Sequence, residues 1–209
     1  MKTLRLLAVC VAAASLCACS VLQPTATAPP AFYALEYALP SGAPHGPASK
    51  PTAAALTLVI SPVRAASGFD SQRIIYVREP HKLEYFAHSE WIDTPARMLG
   101  PLLVASIAHT GAFKAVVMTP GSAGGELRLD TEIVRLQHSF QTRPSRVQFT
   151  LRTYLVDEKT RKVLAWREFD AEADAARDDP YAGVVAANRV VQTLLQEVSQ
   201  FLAQRSGRL

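Results

Sequence analysis

One cysteine of the 209-residue chain sits where its neighbours define its chemistry. Leu16-Cys17-Ala18-Cys19 puts an aliphatic residue three positions before a cysteine, with small residues between. That is the pattern of a bacterial lipobox. The chemistry it specifies is a thioether diacylglycerol on Cys19, cleavage before it, and acylation of the freed amine. Three chains bury dozens of methylenes at about 0.8 kcal/mol each, so the anchor is effectively permanent. Cys10 and Cys17 are weaker candidates, because Leu16 is too bulky to stand directly before the cleaved bond. Upstream, Lys2 and Arg5 form a positive n-region, and Leu6 to Leu16 is an apolar run of h-region length, short for a bilayer span. An ordinary secretory signal and an uncleaved anchor are the alternatives. The sequence therefore divides into a lipoprotein signal peptide over 1–18, a lipidated tether over 19–30 and a single domain over 31–209.

The remaining chemistry is sparse. All three cysteines lie at or before position 19, which leaves the body without a disulfide, a thiolate metal site or a cysteine nucleophile. The sequence holds no G-x-S-x-G, H-E-x-x-H, P-loop or G-x-G-x-x-G. His45, His81, His88, His109 and His138 are scattered, and the seven-residue separation of His81 and His88 is not a ligand spacing. Asp178-Asp179 reads as a helix N-terminus rather than a catalytic carboxylate pair. The run from Gly121 to Gly125 reads as a connection, since no Gly-Lys-Ser/Thr follows it. The expectation is a protein with no catalytic residue, no metal and no cofactor beyond the diacylglycerol and N-acyl chain on Cys19. Removing Lys2 and Arg5 from 22 basic residues leaves 20 against 18 acidic ones, a net charge of +2. With no basic block, the chain carries no electrostatic footprint for nucleic acid.

One segment concentrates the side chains that dominate binding interfaces. Arg73, Tyr76, Arg78, Tyr85 and Trp91 fall within nineteen residues, among Ile and Leu. They are the candidate partner contacts. The competing reading is that Tyr76, Phe86 and Trp91 cover a helix.

These residues need elements to hold them. Ser20 to Pro30 is rich in Pro, Thr and Ala and reads as a tether. Pro40 to Thr52 reads as a loop. Strands are expected at Phe32–Tyr37, Leu56–Ile60 and Phe113–Met118, and a hairpin at Ile74–Arg78 and Lys82–His88. Thr94-Pro95 should cap a helix whose apolar face is Met98, Leu99, Leu102, Leu103 and Ile107, with Pro101 kinking it and Gly111 ending it. Leu127, Leu129 and Ile133 share one parity; Val134, Leu136 and Phe140 share the other, which predicts a β-bulge near Ile133. A three-strand meander follows through Val147–Leu155 and Val163–Asp174. Asp179-Pro180 should start a second helix with Val184, Val191, Leu194, Leu195, Val198, Phe201 and Leu202 as its stripe. The fold expected is α+β, a mostly antiparallel sheet with two helices on one face.

The lipobox, Phe32-Tyr33-Ala34-Leu35, Ile60-Ser61-Pro62-Val63, and the run from Arg73-Ile74-Ile75-Tyr76 through Leu83 to Glu90-Trp91 before an Ala/Leu-rich helix resemble one family. It is the ABC-type transport auxiliary lipoprotein family. The resemblance implies a non-enzymatic component of an envelope phospholipid-transport system, in which an inner-membrane ABC permease and ATPase work with a periplasmic MCE-domain protein. The partners implied are that MCE-domain protein and the outer membrane, reached through the lipid anchor; a homo-oligomeric ring around such a conduit is compatible with it. Ser20, where aspartate would favour inner-membrane retention, agrees with the periplasmic face of the outer membrane. The rival reading is a structural or regulatory lipoprotein of another envelope machine, such as a cell-wall synthase activator or an outer-membrane assembly factor. A hydrolase would need a nucleophile and base that the sequence does not display.

Overall fold

The computed structural model describes residues 29–38, 56–121 and 124–207. The signal, Cys19, most of the tether and the Pro40–Thr52 loop lie outside them. Described residues form nine strands and two helices. In chain order these are β1 (Ala31–Tyr33), β2 (Thr57–Ile60), β3 (Arg64–Ala65), β4 (Arg73–Val77), β5 (Glu84–Trp91), α1 (Pro95–His109), β6 (Ala115–Met118), β7 (Leu127–Ser139), β8 (Arg146–Asp157), β9 (Val163–Asp174) and α2 (Pro180–Ser206).

β7 is the spine of the sheet. One edge of it pairs with β8, which pairs in turn with β9, both antiparallel. Its other edge is shared end to end by β2, β3 and β4, all parallel to it. β6 extends the sheet beyond β2, and β5 then β1 extend it beyond β4. The sheet is thus mixed rather than mostly antiparallel: β1–β5 and β2–β6 are also parallel, leaving β4–β5, β7–β8 and β8–β9 antiparallel. Alternation reports which face of a strand is buried and says nothing of the direction of its neighbour. Chain neighbours pair only in part here, because β2 and β6 flank an insertion that contains β4, β5 and α1.

The parity switch in β7 is a bulge. Ile133 faces Leu151 while Arg135 faces Thr150, so Val134 is the extra residue. Before it Leu127, Leu129, Thr131 and Ile133 point inward; after it Leu136 and His138 do. Both helices join one core with that face. Phe149, Leu151, Leu155, Leu194, Leu195 and Leu103 are almost fully buried, each worth roughly 1.5–3 kcal/mol against exposure.

Local chemistry sets the helix ends. Thr94 Oγ1 accepts from Arg97 N at 3.4 Å and Pro95 follows it. Asp179 Oδ1 accepts from Ala182 N at 2.7 Å, with Pro180 next. These are two cases of a polar N-cap followed by proline at the first helical position. Pro101 lies within α1 on its exposed side, and α1 ends before Gly111, whose φ is +65°. Ser106 Oγ ties the helices together, donating to Leu195 O at 3.0 Å and lying 2.6 Å from Ser199 Oγ.

β1 stops at Tyr33, four residues short of the expected strand. Residues 34–38 pair instead with side chains of α2. Asn188 Oδ1 accepts from Glu36 N at 2.7 Å and Nδ2 donates to Ala34 O at 3.2 Å. One turn on, Gln192 Oε1 accepts from Ala38 N at 3.1 Å and Nε2 donates to Ala38 O at 2.9 Å. Two carboxamides at i and i+4 on one helix face thus supply the backbone partners that a strand would otherwise give.

Candidate functional site

The five candidate contact residues divide over three places. β4 and β5 pair with Ile75 opposite Tyr85 and Tyr76 opposite Glu84. Alternation then sets Arg73 and Tyr85 on one face of the hairpin and Tyr76, Arg78 and Glu84 on the other. On the first face the Arg73 guanidinium lies 4.0 Å from the centre of the Tyr85 ring, and Tyr85 is 50% exposed. This cation–π pair is open to a partner. Leu83, also exposed, packs over Gly68, which has a positive φ of 94° that a side chain would strain.

On the other face, Arg78 holds Glu84 through a two-point ion pair, Nε to Oε2 at 2.9 Å and Nη2 to Oε1. The hydrogen bond from Arg78 is the main reason the Glu84 carboxyl titrates below its ordinary range. Lys82 adds charge 3.9 Å from the same carboxylate. Tyr76 is half-buried, 4.6 Å from the Phe86 ring centre and edge-on to Phe140 at 5.7 Å. Its ring is a wall of the aromatic cluster rather than a free surface. Trp91 is 3% exposed and belongs to the core, where it presents nothing to a partner. Trp91 packs in the core shared with α1, Tyr76 and Phe86 pack on each other and on Phe140, and Arg73 and Tyr85 form an exposed pair. Cys19 lies outside the described residues.

The structure also assembles a pair that sequence reading passed over. His138 Nε2 is 2.9 Å from Ser145 Oγ across the β7–β8 turn. A Ser–His pair invites a nucleophile reading. Its surroundings give a substrate no approach. His138 and Ser145 are 2% and 1% exposed, and His138 Nδ1 has no hydrogen-bond partner, so no carboxylate orients the ring. The adjoining void, lined by Ile74, Trp91, Val147, Gly183 and Ala187 among others, is water-sized at about 10 Å³. Burial is the main cause of the lowered His138 pKa, opposed by the charges of Asp178 and Asp179. The sequence held a signal for this: beyond the bulge, 138 falls on the buried parity with Leu136.

Among the described residues, no group of three or more His, Cys, Asp or Glu side chains is arranged to hold a metal ion, and no helix is long and apolar enough to cross a membrane. The solvent face of β7–β9 is a ladder of cross-strand ion pairs. Arg152 bridges Glu132 at 3.6 Å and Glu168 at 2.8 Å; Arg135 reaches Asp170 at 3.1 Å; Arg146 reaches Glu172 at 3.0 Å. Both signs alternate there, which suits a solvated face better than a steering field.

The family model for the ABC-type transport auxiliary lipoprotein component matches residues 37–199. The chain belongs to that family. Its fold recurs in solved structures of low sequence identity. Protein XCC0632 from Xanthomonas campestris superposes with a TM-score of 0.71 at 20% identity, over 85% of this chain and 96% of that one. An uncharacterized protein superposes with a TM-score of 0.60 at 13% identity, over 85% and 98%. The hypothetical protein CT253 from Chlamydia trachomatis gives 0.51 at 9% identity, over 72% and 96%. No curated protein matches the sequence significantly. The family assignment makes this auxiliary lipoprotein a component associated with ABC-type transport.

Proposed function

We propose that this auxiliary lipoprotein is a non-enzymatic component of an ABC/MCE-type phospholipid transport system, anchored by acylated Cys19 to the periplasmic face of the outer membrane. In this role it docks the MCE-domain conduit that crosses the periplasm. The observation that carries the reading is the family match, which spans nearly the whole described body. Ser20 after the lipidated cysteine supports outer-membrane sorting. The exposed Arg73–Tyr85 pair supplies the docking contact, an aromatic and a guanidinium of the kind that anchors interfaces.

The test is a photo-crosslinking amino acid placed at position 85 in the lipidated protein, in intact cells. The reading expects a crosslink to an MCE-domain protein. A crosslink to a cell-wall synthase or an outer-membrane assembly factor instead would move the protein to another envelope machine.

A further inference from the structure

The end of the body that receives the tether carries an exposed apolar patch that the docking face does not use. Phe32 of β1, Ile92 just beyond β5, and Tyr181 and Val185 of α2 are 57%, 61%, 56% and 42% exposed. Phe32, Tyr181 and Val185 line one open groove of about 800 Å³ between residues 32–38 and the first turns of α2. Ile92 adjoins it, since its N–H donates to Tyr33 O at 2.7 Å. The Tyr33 and Tyr181 rings, 6.3 Å apart, join the strand side to the helix side. The groove is firmly built, because the Asn188 and Gln192 carboxamides fasten the 34–38 backbone to α2.

Chain length says what covers this patch. Pro29 and Pro30, both exposed, run directly into β1. Cys19 stands twelve residues before Ala31, and a chain of that length spans at most roughly 40 Å. So short a link keeps the bilayer at high effective concentration beside the patch. The exposed side chains suit a lipid interface: Phe32, Ile92 and Val185 are apolar, while the Tyr181 hydroxyl and the groove's Glu36 and Arg189 can stay in the headgroup layer. The ion-paired face of β7–β9 also exposes Trp166, stacked on Tyr154, but sets it beside the charges of Arg152 and Glu168 rather than at the end that receives the tether.

We propose that Phe32, Ile92, Tyr181 and Val185 seat the body on the leaflet that holds the Cys19 anchor. The seating fixes the β4–β5 docking face relative to the membrane and gives the anchored body a set orientation. This inference rests on the reading of Cys19 as lipidated.

The test uses the mature acylated protein in vesicles of phosphatidylethanolamine with a minority of phosphatidylglycerol, doped with phosphatidylcholine brominated on its acyl chains. Phe32→Trp is made in a Trp166→Phe background. Wild-type protein serves as control, because Trp166 stands eight residues, roughly 25 Å along β9, before Asp174, whose carbonyl accepts from the groove residue Arg189 at 2.7 Å. Buried Trp91 is common to both. The expected result is a blue-shifted, bromine-quenched emission from the position-32 indole and no quenching in wild type. Emission at position 32 that bromine leaves unchanged, in a protein that floats with its vesicles and shows the acyl mass on Cys19, overturns the seating alone. A chain without the acyl mass removes the anchor and the seating together. A blue shift that follows protein concentration and ignores bromine assigns the patch to a second copy and overturns the proposal.

Discussion

Gly183 gives the sharpest test of the packing at the start of α2. It lies in the first turns of that helix, where replacing glycine by alanine ordinarily stabilises by about 0.8–1 kcal/mol. Here the new Cβ would lie 2.5 Å from His138 Nδ1, 3.0 Å from Cε1 and 3.3 Å from Cγ. The obstacle is a ring with little freedom to move: Ser145 Oγ holds its Nε2 at 2.9 Å, and Phe140 packs on it at a centroid distance of 4.2 Å. Overpacking of this kind costs typically about 1–3 kcal/mol, and a clash with three atoms of a fixed ring belongs at the upper end. Gly183→Ala is therefore expected to destabilise by about 2 kcal/mol after the helix gain is subtracted. In a domain of this size that lowers Tm by roughly 4–8 °C. The assay is thermal and urea unfolding of wild type, Gly183→Ala, His138→Ala and the double variant. With the ring gone, the alanine should recover its helix advantage, so the cycle should show coupling of at least about 1 kcal/mol. Gly183→Ala more stable than wild type, with no coupling to position 138, would refute this account of the His138 seat.

Three further outcomes follow from the same contacts. Burial lowers the His138 pKa, so the unfolded chain binds more protons below the ordinary histidine value of 6.5, and stability should fall as pH drops from 6.5 through the lower folded value; urea midpoints between pH 7.5 and 5 should show this, and His138→Gln should flatten that part of the profile. Asn188→Ala and Gln192→Ala each remove hydrogen bonds to the 34–38 backbone, at a net of about 0.5–1.5 kcal/mol per bond; hydrogen exchange at Glu36 and Ala38 should accelerate while the β7–β8 amides keep their protection. Asp179→Ala removes the cap on Ala182 N–H and should lower Tm, whereas Asp179→Asn should retain most of it; equal losses in both would point to the carboxylate charge rather than the cap.

The elements that could be read from the sequence are those with an unambiguous local cause. Thr94-Pro95 and Asp179-Pro180 start helices, and the seven apolar positions assigned to the second helix are all buried. The parity switch at Ile133–Val134 is a bulge. Direction was less legible, because β2, β3 and β4 reach β7 across the chain and no periodicity encodes a parallel neighbour. β3, two residues long, leaves no pattern to find. In the candidate contact segment the residue types were legible but their orientation was not. Arg73 and Tyr85 share an exposed face, while Trp91 is at home in the core, as its place at a strand end before an apolar helix allows. Carboxamides standing in for a strand, as Asn188 and Gln192 do, have no sequence signature short of the fold itself.

The central claim is a docking partnership, and affinity purification of the acylated protein from detergent-solubilised envelope tests it most directly, with the recovered partners read by mass spectrometry. The account predicts an MCE-domain protein in the wild-type eluate and its depletion with Arg73→Glu at unchanged Tm. Recovery of cell-wall or outer-membrane assembly proteins, with no MCE-domain protein, would contradict it.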